Sequence, residues 1–81
     1  MKTSSAPAKL RRRLPITVDS AVRGGEPCFT GTRVPVSSLF ANLEGGVSLD
    51  EYLDAFPAVS RAQAVAVLEF GHSAALQAAP V

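Results

Sequence analysis

Between Gly24 and Val36 the chain runs Gly24-Gly25-Glu26-Pro27-Cys28-Phe29-Thr30-Gly31-Thr32-Arg33-Val34-Pro35-Val36. Three glycines and two prolines in so short a stretch forbid a helix there. Glycine raises the backbone entropy lost on ordering, and proline lacks the donor that a helix interior needs. This run therefore divides the chain. Three helix-patterned segments follow it directly.

Before the divide, Ile16-Thr17-Val18-Asp19 alternates apolar and polar residues with the period of a half-buried strand. Gly24-Gly25 reads as a turn. Pro27-Cys28-Phe29 reads as a second short extended piece. Gly31 permits a reversal, and Val34 is held extended by the proline after it. Two short strands or a loose hairpin result, with Pro27 and Pro35 confined to edge positions.

After the divide the period changes to that of helices. Pro35 suits a first helical turn, and Val36, Leu39, Phe40 and Leu43 follow the i, i+3, i+4, i+7 pattern. Gly45-Gly46 ends that helix. Ser48-Leu49-Asp50-Glu51 is a capping box, with Val47 and Tyr52 as its hydrophobic staple, and Pro57 stops the short helix it opens. A second box at Ser60-Arg61-Ala62-Gln63 opens a third helix, expected from about Arg61 to Leu76. Its expected core stripe is Val65, Leu68, His72 and Leu76, widened by Ala64, Val67 and Ala75. Gly71 is its weak point. The expected fold is α+β and mainly helical: a short N-terminal strand element, then a three-helix, helix-turn-helix-like bundle. Residues 1–13 are expected to be a disordered basic arm, 14–76 the single domain, and 77–81 a frayed tail.

A chain of 81 residues has room for one small domain and a thin core. Its single cysteine excludes an internal disulfide, and with one histidine no ordinary His/Cys metal cluster is expected. Self-association or a partner is the remaining source of stability. No apolar run approaches a membrane span, and residues 1–13 do not read as a secretory signal. The lone thiol fits a reducing cytoplasm.

The net charge of +1 conceals a division. Residues 1–33 hold seven cations and two anions, a net of +5; residues 34–81 hold one cation and five anions, a net of −4. The basic arm, Lys9 with Arg11, Arg12 and Arg13, is a candidate for phosphates or a minor groove and equally a solubilising tail. Arg33 either pairs with Asp19 or Glu26 across the strands, which the charge pattern slightly favours, or reaches a phosphate beside the arm. The second and third helices match the helix-turn-helix plan as well as a plain three-helix unit. The third helix offers only Ser60, Arg61 and Gln63 to DNA in its early turns. Asp50, Glu51 and Asp54 form an acidic face, and Val67, Phe70 and Leu76 exceed what so small a core holds, which marks a protein interface. No catalytic constellation is evident. Cys28 and His72 lie far apart with no third orienting group, and the glycine run lacks a Gly-Lys-Ser/Thr ending.

The motif Gly25-Glu26-Pro27 through Gly31-Thr32-Arg33-Val34-Pro35-Val36, continued by Gly46-Val47-Ser48-Leu49-Asp50-Glu51-Tyr52, Phe56-Pro57 and the helix beginning at Ser60, resembles the domain-of-unknown-function family 433 from Ile16 to about Leu76. Cys28 and Phe29 stand where that family more often has aliphatic residues, and the third helix carries little basic charge. The resemblance implies a winged-helix-like or helix-turn-helix-like small domain, an antitoxin that silences a PIN-like nuclease toxin and binds its own operator, with no cofactor. By position, Gly31-Thr32-Arg33 and the third helix fall in the DNA-facing or dimer-forming half. The expectation is thus a non-enzymatic, homodimeric antitoxin. Lys9, Arg11, Arg12, Arg13, Thr32, Arg33, Ser60, Arg61 and Gln63 would face DNA, and Asp50, Glu51, Asp54, Val67, Phe70 and Leu76 would face the partner. The alternative is a stand-alone DNA-binding regulator.

Overall fold

The computed structural model describes residues 14–78; the expected arm, Lys9 and Arg11 to Arg13 included, and the last three residues lie outside them. Strand β1 (Ile16–Thr17) pairs antiparallel with β2 (Cys28–Phe29), Ile16 opposite Phe29 and Thr17 opposite Cys28. Helices α1 (Val36–Glu44), α2 (Leu49–Ala55) and α3 (Arg61–Ala78) follow. The architecture is α+β and mainly helical, in the expected order.

Each expected turn device has its geometry. The Thr32 amide donates to the Phe29 carbonyl at 2.9 Å, closing a β-turn in which Gly31 has φ +80°. That is the third turn position, where a type II turn demands glycine. The Phe29 amide then donates to Val34 at 3.0 Å and the Val36 amide to Pro27 at 2.9 Å, so β2 has a neighbour on both edges. Pro35 lies on the outer edge. It is the N-cap of α1, with ψ 139°, and not a first-turn residue, because its extended backbone still belongs to the β2 bridge. At the far end of α1, Gly46 (φ +95°) donates to Leu43 and Val47 donates to Asn42. These two bonds are the Schellman pattern that satisfies the last carbonyls of a helix.

Both capping boxes are complete. Ser48 Oγ accepts from the Glu51 amide while the Glu51 carboxylate accepts from the Ser48 amide. Ser60 and Gln63 repeat the exchange at 3.0 Å in each direction. Each satisfies two donors that a helix start otherwise leaves open.

The core draws on every element. Phe29, Leu39, Tyr52 and Val67 are fully buried, joined by Val36, Val59 and Ala64. Tyr52 carries its hydroxyl into this interior and needs a partner there. It lies 2.7 Å from Ser38 Oγ, whose own proton goes to the Pro35 carbonyl at 2.8 Å. Ser38 has one proton to give, so Tyr52 is the donor. The chain Tyr52–Ser38–Pro35 fastens α2 to the start of α1.

The face of α3 differs from expectation. Ala64 and Val67 are buried and Leu68 is partly buried, whereas His72 and Leu76 are exposed. The ring of Phe40 lies beside Gly71, within 3.5 Å of where a Cβ would stand. The stripe Val65–Leu68–His72–Leu76 is rotated about one residue from the packed one. The absence of a side chain at Gly71 leaves room for the Phe40 ring, and Ala64 is buried in the core cluster with Phe29 and Tyr52. The helix also continues past Leu76 to Ala78.

Candidate nucleic-acid and partner surfaces

The turn Thr30–Arg33 stands against the first turn of α3, and one residue fixes them together. The Gln63 side-chain amide donates to the Thr30 carbonyl at 3.0 Å while its oxygen caps the Ser60 amide. Gln63 is thus engaged at both ends of its amide and positions the surface, with a second amide proton and a second oxygen lone pair still to offer. Thr32 is engaged in the same way. Its hydroxyl donates to the Phe29 carbonyl at 2.8 Å and accepts from the Val34 amide at 3.0 Å. Ser60 Oγ is likewise an acceptor within its own cap.

The cations divide in a way that composition cannot show. Arg23 Nε lies 3.1 Å from Glu26 Oε1, and Arg61 pairs with Asp50. Arg33 is exposed and makes no ion pair among the described residues. Its expected partners are occupied elsewhere: Asp19 accepts from the Ala21 amide, and Glu26 holds Arg23 and, at 3.2 Å, the Ser37 hydroxyl. The structural role favoured for Arg33 is therefore corrected; its guanidinium points to solvent. It borders a shallow groove with Thr17, Asp19, Gly31 and Ala58, the last from the α2–α3 turn.

Glu26 is the residue that reading the sequence undervalued. It clamps a left-handed turn, in which Arg23 (φ 49°) precedes Gly24 (φ 67°) and Gly25 (φ 90°), onto the first turn of α1. No sequence signal marks it, because Ser37 lies eleven positions further along the chain.

The acidic face is partly committed too. Glu51 closes its capping box and Asp50 holds Arg61, both exposed; Asp54 makes no ion pair among the described residues. Of the apolar candidates, Phe70 is 51% and Leu76 is 65% exposed, but Val67 is 2% exposed. Val67 is core, and its place on a partner surface is corrected: it is buried in the same cluster as Phe29 and Tyr52, as its place in the widened stripe of α3 implies. Cys28 is buried, with its thiol donating to the Glu26 carbonyl at 3.3 Å, as a small apolar residue would be. No helix among the described residues is long and apolar enough to cross a membrane.

A strand pair feeding three helices, with an exposed arginine on a glycine-set turn and a last helix whose end is exposed, defines a small α+β domain. The chain belongs to the DUF433 family, described as a protein of unknown function, whose model matches residues 16–71. Among solved structures it is similar to a DUF433 member protein from Anabaena variabilis ATCC 29413. The two are 24% identical, with a TM-score of 0.66 over 88% of this chain and 70% of that one, a likeness of fold. No curated protein matches.

Proposed function

We propose that the chain is a non-enzymatic antitoxin of the cytoplasm, which covers a PIN-like ribonuclease toxin and binds its own operator as a homodimer. The observation that carries this reading is the end of α3. Beyond Gly71 every described residue of the helix is exposed, and Phe70 and Leu76 stand in water on either side of it. Exposed apolar residues on an otherwise unsupported helix fit a surface that is completed by another protein. Asp54, with Asp50 and Glu51 nearby, would meet the basic groove of a nuclease. Arg33, with Arg61 once it leaves Asp50, would meet operator phosphates together with Lys9, Arg11, Arg12 and Arg13.

The product of the adjacent reading frame, co-expressed with this chain, tests the proposal. Co-purification and loss of the neighbour's ribonuclease activity are expected; a neighbour without nuclease character refutes it. A stand-alone DNA-binding regulator is the second reading, favoured by the unpaired Arg33. Gel shifts on the upstream region, read beside the co-purification, distinguish the two: a regulator shifts the DNA while the neighbouring product neither binds this chain nor has nuclease activity.

A further inference from the structure

Three consecutive residues, Arg23, Gly24 and Gly25, hold left-handed backbone, with φ of 49°, 67° and 90°. The two glycines take that hand freely. Arg23 is the one residue among those described that combines a side chain with a positive φ. A left-handed backbone disfavours such a residue about 5- to 30-fold. The ion pair with Glu26 covers only the low end of that range. Its side chains are 49% and 37% exposed, and an exposed pair contributes at most about fivefold. A third glycine would close the same turn without the penalty. The turn alone therefore does not account for the arginine, and a strained residue that persists points to a use for its side chain.

The guanidinium has donors free for such a use. Its Nε donates to Glu26 Oε1 at 3.1 Å, and Glu26 Oε2 accepts from the Ser37 hydroxyl at 3.2 Å. Both carboxylate oxygens are engaged, while the two terminal nitrogens of Arg23 make no hydrogen bond among the described residues. The guanidinium is thus held at Nε, half exposed, with its fork open. Such a fork matches two oxygens of a phosphate.

We propose that Arg23 is a phosphate contact on double-stranded DNA, oriented by Glu26 and set on the same surface as Arg33. The inference rests on the DNA-binding part of the antitoxin reading and adds a residue to it. Val22, next to Arg23, lines the shallow groove that Arg33 borders. Glu26 ties the turn to Ser37 in the first turn of α1, and Arg33 stands three positions before that helix begins. Two carboxylates are near. Asp19, in the groove lining, accepts from the Ala21 amide, and Glu26 holds Nε and Ser37. Neither accepts from the terminal nitrogens of Arg23. The left-handed backbone and the Nε bond together fix the side chain before any ligand arrives, so less freedom is lost on binding.

The test is binding of the full chain to a duplex carrying the upstream region, measured across a salt series beside thermal unfolding. Arg23→Gly is expected to lower the salt slope by close to one unit and to weaken binding about eightfold at ~0.1 M salt, while the unfolding midpoint holds or rises. Arg23→Asn, whose side chain tolerates the same hand, is expected to match it. Arg23→Lys keeps the charge and is expected to keep the slope. An unchanged slope in Arg23→Gly and Arg23→Asn overturns the proposal, whatever the midpoint does. Weakened capture of the neighbouring gene product at an unchanged slope overturns it too, because the guanidinium is then a protein contact. A slope that falls with Arg33→Gln and not with Arg23→Gly removes Arg23 alone and leaves the DNA reading standing. If the unaltered chain does not bind the duplex, the DNA reading itself fails and takes this inference with it.

Discussion

Replacing Gly71 by alanine should make this protein more stable, although the residue packs directly on an aromatic ring. Gly71 lies within α3, so its backbone is already helical and alanine enters without strain. A glycine inside a helix costs about 1 kcal/mol relative to alanine. The new Cβ would stand 3.5 Å from Phe40 Cζ and 3.6 Å from Phe40 Cε1, which is ordinary van der Waals contact. The methyl also shields part of a ring that is 36% exposed. The expected gain is about 1 kcal/mol, and at this chain length that raises Tm by about 4–8 °C. Urea and thermal unfolding of the full chain measure it. Gly46→Ala is the matched control: nothing lies within 4 Å of its Cβ position, yet its φ is +95°. A left-handed backbone costs an L-residue roughly 1–2 kcal/mol, so this variant should lose stability despite the empty space. If Gly71→Ala is neutral or worse, the Phe40–Gly71 contact is tighter than described, and the rotated face of α3 is wrong with it.

Tyr52→Phe removes the donor to Ser38 and should cost about 1 kcal/mol in urea unfolding, with the fold intact by circular dichroism; a neutral result would break the Tyr52–Ser38–Pro35 chain. Gln63→Ala removes a cap and the tie to Thr30 together and should cost about 1–2 kcal/mol. Faster amide exchange at Thr32 and Val34 should accompany that loss, whereas Gln63→Glu keeps the cap and loses only the tie. Arg33→Gln should leave stability unchanged and lower the salt slope of operator binding by about one unit; an unchanged slope removes Arg33 from any phosphate contact.

Local chemistry made most of the fold legible. Ser48 with Glu51, Ser60 with Gln63, Gly46 after α1 and Gly31 in its turn each act on residues within a few positions, and such devices are written in the sequence. The face of α3 was legible in part: Ala64 and Val67, expected in its stripe, are buried, whereas His72 and Leu76 are exposed. Gly71 meets Phe40, and closeness of approach depends on partners distant in the chain. The same distance hid the uses of polar groups. Gln63 and Thr32 look free in a list of residues; only their placement beside Thr30 and Phe29 shows the hydrogen bonds they already make. Arg33 shows the reverse, since its expected partners are held by the Ala21 amide, Arg23 and Ser37.

Among the described residues the final turns of α3 bury no side chain. From His72 to Ala78 each residue is exposed, and a helical stretch of that length is marginal in water without support. Its amides should trade protons with solvent through local fraying, while those at Ala64 and Val67 wait for the whole domain to open. A molecule that settles there must first hold those turns still. Its affinity is then set in part by how readily the peptide coils, and substitutions such as His72→Ala, which raise helix propensity at an exposed position, would tune the grip by quieting the free state.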